Sequence, residues 1–329
     1  MRGHRTALGI VGLLVLAFGM SGCLNLFGPR LGEVTGKVTW DGKAVIGALV
    51  EAGGKRAVTA VDGSFRVRDV EQGTHTLKVT VDGEVAETRS ITVGRNPVTV
   101  NVELASGPTE LVVIRSAITE EATSLYPSYT DYLTQLTAFL VNNNYTFMIL
   151  TDEDVMDGKL AGAQLAILND QGVMRQAEVD AIWEYVQGGG KILATYSTSI
   201  RSGDDPEHPN VGFQLADVYG VRWVEWTNQP TFTKVKVVND HPIVAGFGEE
   251  IELRGGPRHH ISIVDATPIA VLVDQEGNPG DVSDSTVLVV SDYGVYASFV
   301  LLYSRYFDDP VASELIHSIL EYYAPNARR

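Results

Sequence analysis

The run Lys191-Ile192-Leu193-Ala194-Thr195-Tyr196 climbs out of Gly188-Gly189-Gly190 and then breaks into the hydroxyl-bearing loop Ser197-Thr198-Ser199-Ile200-Arg201. The carboxyl end of a strand in an α/β sheet is where ligands and nucleophiles are held. Ser197 with His259 or His260 and an aspartate has the residue types of a hydrolase triad, but the glycines that shape a nucleophile elbow are missing around it. His259 and His260 are metal-ligand types, yet neighbours on a strand point to opposite faces and do not share an ion. "GGPRHHIS" is therefore expected to be a solvated loop. "SGDDPEHPN" collects side-chain oxygens without the regular spacing of a calcium loop. Trp223 and Trp226 have the chemistry to stack on a sugar, but their spacing of three puts them on opposite faces of a strand, so core packing is expected. No metal, no cofactor and no catalytic residue is expected, and the candidate ligand pocket consists of Asp170, Tyr196, Ser197, Thr198, Arg201 and His259.

The elements that would position these residues form an alternating strand and helix pattern over residues 110–325. "ELVVIRS", "YTFMIL", "QLAILND" and "KILATY" read as buried strands, followed by "TPIAVLV", "STVLVVS" and "VYASFVLLY". A helix from Ser128 places Tyr129, Tyr132, Leu133, Leu136, Phe139 and Leu140 on one stripe. A second starts near Gln176 and stops at the triple glycine. The last opens with Asp309 as N-cap and Pro310 in its first turn. Near-continuous apolar strands between amphipathic helices predict a mostly parallel sheet covered on both faces. Loops 115–124, 169–172 and 197–205 would then share its carboxyl edge.

Residues 32–105 carry a different signal: alternating strands around Asp41-Gly42, Asp62-Gly63 and Asp82-Gly83. Asp-Gly between alternating segments is a hairpin signature, so this part is expected to be a small antiparallel β-sandwich closed by residues 98–104. His75 within it reads as a strand-face residue. Gly107-Pro108 breaks both periodicities, which makes 106–109 a linker. The predicted fold class is thus multi-domain: a small all-β sandwich plus an α/β domain of the flavodoxin or amidotransferase type.

The chain has 329 residues, 44% hydrophobic residues and a net charge of −16. That charge, with no Lys/Arg cluster, argues against nucleic acid and against a basic helix lying on a membrane. The single cysteine, Cys23, excludes an internal disulfide framework and a multi-cysteine zinc site. Residues 1–22 have a basic start, an apolar stretch and small residues before Cys23, the pattern of a secretory leader.

Three resemblances sharpen these readings. Met20-Ser21-Gly22-Cys23 resembles a bacterial lipobox, with Met20 where leucine is usual. It implies a lipoprotein cleaved before Cys23, acylated there, tethered by residues 23–31 and held on the extracytoplasmic side of the cell envelope; Leu24 points to the outer membrane where there is one. Gly36-Lys37-Val38, Ala48-Leu49-Val50, Asp62-Gly63-Ser64-Phe65 and Gly73 to Val79 are similar to the carboxypeptidase regulatory-like (transthyretin-like) domain, which implies a spacer or contact module without chemistry. Residues 181–221, "NDHPIVAGF" and "SDYGVYASFVLLY" resemble the class I glutamine amidotransferase-like fold, in the version found in the trimerisation domain of certain beta-galactosidases. Active amidotransferases carry an elbow cysteine within G-x-C-x-G; Tyr196 stands at that place here without the glycines, so glutamine hydrolysis is not expected. The amidotransferase-like and trimerisation-domain resemblances imply a carbohydrate or protein partner and self-association. Two function classes follow: a non-catalytic, surface-anchored binding or assembly protein, which is the expected one, and an extracytoplasmic carbohydrate-active hydrolase using Asp170, Arg201 or His259.

Overall fold

The computed structural model describes residues 30–105, 110–205, 207, 212–227, 232–274 and 278–328. The leader over 1–22, Cys23 and the linker 106–109 lie outside the described residues, as does the tether 23–31 except for its end, where a strand already begins at Leu31. Among the described residues no helix is long and apolar enough to cross a membrane.

The first part is two sheets face to face. Leu31–Trp40 is flanked by Lys43–Ala44, Ser64–Glu71, Val98–Thr99 and Val102–Glu103; the facing sheet holds Lys55–Val58, Leu49–Ala52, Gly73–Val81 and Glu84–Val93 in that order. Alternate residues point inward and bury Val34, Val38, Val50, Phe65, Val67, Leu77 and Val79 between the sheets. Asp41-Gly42 and Asp82-Gly83 are two-residue hairpin turns with both residues at positive φ (48° and 71°, 50° and 78°), as a type I′ turn requires. Asp62-Gly63 is not a hairpin. Only its glycine has positive φ, and the strands it joins lie in different sheets. The closing strand also departs from expectation: it runs parallel to the first strand, in two short pieces.

The second part contains strands β1 Leu111–Arg115, β2 Met148–Thr151, β3 Leu165–Asn169, β4 Lys191–Thr195, β5 Val221–Thr227, β6 Val235–Val237, β7 Glu250–Ile251, β8 Arg258–Ile263, β9 Thr267–Leu272, β10 Thr286–Ser291 and β11 Gly294–Ala297, and long helices α1 Tyr129–Asn142, α2 Gln176–Gln187 and α3 Pro310–Tyr323. Nine strands form one sheet in the order β2-β1-β3-β4-β11-β10-β9-β6-β7. The first five are parallel; the first four follow the 2-1-3-4 start of flavodoxin-like sheets, with the late strand β11 in the fifth place and the switch point between β1 and β3. The remaining pairings are antiparallel, so the sheet is mixed and not mostly parallel. The reason is connection length: only Asp292 and Tyr293 separate β10 from β11, and so short a link permits a hairpin but no crossover. The run expected as a strand to residue 303 ends at Ala297, because the Ser298 carbonyl leaves the sheet to accept the His259 amide at 2.8 Å.

Alternate strand residues feed two cores. Leu111, Val113, Ile167 and Leu193 pack with Leu136, Phe139 and Leu140 of α1 and Leu315, Ile316 and Ile319 of α3. Val112, Ile114, Leu168 and Ile192 face Val179, Ile182 and Val186 of α2. The α3 start is capped by Asp309, whose carboxylate accepts the Val311 and Ala312 amides at 3.0 Å. β5 and β8 form a separate antiparallel ribbon beside the sheet, with a bulge at Val224. The two parts of the molecule meet where Ile46 and Phe147 exchange backbone hydrogen bonds of 3.1 and 3.0 Å. Beside that bridge, Lys43 pairs with Asp154 at 2.6 Å, and Lys159 reaches both Asp41 (2.8 Å) and Asp154 (3.1 Å).

Candidate functional site

At the carboxyl edge of the parallel strands a cavity of about 360 Å³ opens next to the switch point. Asp170 enters it from the end of β3, and Tyr196, Ser197 and Arg201 from the loop after β4. His259 and the indoles of Trp223 and Trp226 come from the ribbon. Tyr126 and Tyr132, at and before the first turn of α1, form the remaining wall.

The turn after β4 is an elbow in spite of its missing glycines. Tyr196 sits at φ 50°, and Ser199 at φ 64°. A tyrosine in the left-handed region costs about 1–3 kcal/mol and has to be held there by its surroundings. Three contacts hold it: its amide donates to the Ala297 carbonyl (2.8 Å), its carbonyl accepts the Tyr296 hydroxyl (2.7 Å), and its own hydroxyl accepts the Trp226 indole N–H (2.6 Å). Thr198, expected in the pocket, is fully buried beneath the turn. Its hydroxyl caps the Leu168 and Thr195 carbonyls at 3.0 and 2.6 Å, so it supports the loop and does not line the cavity.

The polar groups form a directed chain. An indole N–H can only donate, so the 2.9 Å contact from Trp223 Nε1 makes His259 Nδ1 an acceptor. The neutral ring then carries its proton on Nε2 and donates to Ser197 Oγ at 3.0 Å. Ser197 in turn serves Asp170 with its hydroxyl and with its amide, the latter at 3.3 Å. Burial holds His259 down at about 3, with the Glu225 carbonyl pulling weakly upward, so the ring is neutral at physiological pH. Burial also pushes Asp170 up to about 8 against the two Ser197 hydrogen bonds. Serine and histidine are therefore in contact, but the histidine proton points at the serine. A general base needs a free lone pair there, and the group behind this histidine is a donor, not a carboxylate.

Two expectations about aromatic and histidine residues are corrected. Trp223 and Trp226 both line the cavity, because the Val224 bulge inserts one residue between them and turns both indoles to the His259 face; Trp223 packs against the core as well, as expected, whereas Trp226 does not. Trp226 remains 52% exposed. His259 and His260 lie on strand β8 and not in a loop; His259 faces the cavity, whereas His260 looks away toward Glu225 and Asp284. Tyr126 and Tyr132 had no sequence signal beyond helix periodicity. Next to Asp170, Gln171 turns inward and donates to Asp152 (3.3 Å) and Glu178, both fully buried. Burial pushes Glu178 well above the usual carboxylate range, with the Asp152 charge adding to it. Among the described residues no group of three His, Cys, Asp or Glu side chains has metal-binding geometry. A larger groove of about 850 Å³ lies at the opposite, amino edge beside Gly188, Lys191 and Tyr322, away from this constellation.

No family model matches the sequence, and no curated protein matches it. The solved structures are more informative. The α/β part shares its fold with part of a beta-galactosidase. That enzyme, from Rahnella sp. R3, superposes with a TM-score of 0.50 at 17% identity over 64% of this chain. The matched region is 31% of the enzyme's length, so this chain is similar to one portion of it. A beta-galactosidase from Bacillus circulans sp. alkalophilus aligns over 64% of this chain at 16% identity and TM-score 0.49. A thua-like protein from Bacteroides uniformis aligns over 65% of this chain and 90% of its own length at 13% identity and TM-score 0.45. The likeness concerns fold, and the ligand has to be argued from the cavity itself.

Proposed function

We propose that this chain is a lipid-anchored, extracytoplasmic protein whose α/β part binds a carbohydrate without turning it over. The observation that carries the binding reading is the convergence of five aromatic side chains, Tyr126, Tyr132, Tyr196, Trp223 and Trp226, with Asp170 and Arg201 in one cavity of about 360 Å³. Sugars offer C–H faces that pack on aromatic rings and hydroxyls that bind carboxylates and guanidinium groups. The volume lies in the range of small-ligand sites, about 300–1,000 Å³.

A hydrolase reading has less support. Glycoside hydrolysis uses two carboxyl groups flanking the bond, and Asp170 is the one carboxylate among the described residues lining the cavity. The Ser197–His259 contact runs in the wrong direction for a nucleophile.

The test is a titration of the full-length protein with a panel of mono- and disaccharides, following tryptophan fluorescence and melting temperature. A ligand that binds only the folded state raises the melting temperature. Saturable responses to a sugar class, lost in Trp226→Ala and Arg201→Ala, are expected. Silence toward every sugar would remove the carbohydrate reading and turn attention to a protein partner or self-association. The anchor is tested separately: Cys23→Ala is expected to move the protein from the membrane pellet to the soluble fraction. An unchanged membrane fraction would sink that part of the proposal.

A further inference from the structure

Asp170 lies only 5% exposed, and among the described residues its hydrogen-bond donors both come from Ser197: the amide at 3.3 Å and the hydroxyl. The neighbouring His259 proton is spent on Ser197 Oγ, and the Arg201 guanidinium hydrogen-bonds the Tyr126 hydroxyl. The groups that feel the Asp170 charge most directly are neutral phenols: Tyr126, Tyr132, Tyr196 and Tyr296. A phenol carries no positive charge in either protonation state, so these rings cannot balance an ionised Asp170.

With no counter-charge among the described residues, the buried Asp170 carboxyl keeps its proton up to about pH 8, and a cation seated against it would let it ionise and form a buried ion pair. The walls suit one. Tyrosine and tryptophan faces attract ammonium groups, and a carboxylate among several such rings is the arrangement that holds them. A chain of net charge −16 also concentrates cations at its surface. Neutral hydroxyls can hydrogen-bond the protonated acid but offer no partner to its ionised form.

We propose that the ligand of this cavity carries a protonated primary amine seated against Asp170 within the tyrosine-lined end, so that the preferred carbohydrate is an amino sugar with a free amino group. This rests on the carbohydrate reading above and narrows it. Arg201 and the half-exposed Trp226 then address the rest of the sugar ring, and an N-acetylated sugar is rejected because its amide has lost the charge.

The experiment is a fluorescence titration of the full-length protein at fixed ionic strength with glucosamine and galactosamine, against glucose, galactose, N-acetylglucosamine and methylamine. The expected result is binding of an amino sugar on the order of tenfold tighter than its neutral and N-acetylated counterparts, the scale of one charge-assisted contact. Asp170→Asn is expected to lower amino-sugar affinity about tenfold and so erase that preference, and its melting curve reports that it is folded. Equal affinity for charged and neutral sugars, or a preference surviving in Asp170→Asn, would overturn the amine assignment and leave the carbohydrate reading standing. No response to any sugar would bring down both. Methylamine binding as tightly as the amino sugars would overturn the sugar half of the assignment.

Discussion

Asp170 and His259 are the cavity residues whose acid–base chemistry burial changes in opposite directions. For Asp170 the folded pKa, about 8, lies above the ordinary carboxylate value. Below about pH 4 both folded and unfolded chains hold the proton and the group costs nothing. As pH rises toward 8 the unfolded chain releases it first, so stability falls over that window. Asp170→Asn removes the effect. In the absence of ligand it is expected to raise the melting temperature by several degrees at pH 8 and to leave it nearly unchanged at pH 4; thermal melts of both proteins at the two pH values check this. For Ser197 the direction of the Trp223–His259–Ser197 chain predicts an unreactive hydroxyl. A fluorophosphonate probe is expected to leave the folded protein unlabelled; stoichiometric labelling at Ser197 would show that the ring presents a lone pair after all.

At the scale of elements, the cavity depends on backbone details that bring loops together. Gly172, just past β3, is one of them. A Cβ built there would stand 1.9 Å from the Tyr126 ring, so the tyrosine wall can form only against a bare backbone. Gly172→Ala is expected to cost about 1–3 kcal/mol by overpacking and to abolish the sugar response, read by denaturant melts and fluorescence titration. The Val224 bulge does similar work on the ribbon. It makes a spacing of three behave as an even one, so two tryptophans that alternation would separate share a face. This marks the limit of what was legible from residues alone. The helices beginning at Tyr129, Gln176 and Pro310 could be read from stripes and caps. So could Asp170, Tyr196, Ser197 and Arg201 as loop residues after strands. Neither the bulge nor the placement of Tyr126 and Tyr132 has a local signature, because both are fixed by partners distant in the chain.

At the scale of the whole molecule, the sandwich and the α/β part are joined by an ionic clamp next to a short backbone bridge. Burial alone would raise the Asp154 pKa, but hydrogen bonds from Lys43, Thr151 and Lys159 outweigh it and hold the carboxyl well below the usual range. A lowered carboxylate stabilises the fold above its unfolded pKa and loses that contribution as pH falls through the folded one. Asp154→Asn is expected to lower stability by about 1–3 kcal/mol at pH 7, with the gap to the unaltered protein closing below about pH 4. A gap that persists in acid would mean that the clamp acts through packing and not through charge.

What the sequence by itself determined is mostly local: the Asp-Gly hairpins at 41–42 and 82–83, the helix starts, the run of parallel strands and the hydroxyl-rich loop after β4. These follow from turn chemistry, periodicity and capping, which act over a few residues. Tertiary structure decided that half of the large sheet is antiparallel, that Asp62-Gly63 crosses between sheets, that a tyrosine occupies a strained elbow, and that a serine and a histidine meet with the proton on the unhelpful side. Each of these turns on which strand pairs with which and on what stands behind a side chain. Such facts join residues scores of positions apart, and no window of sequence contains both partners.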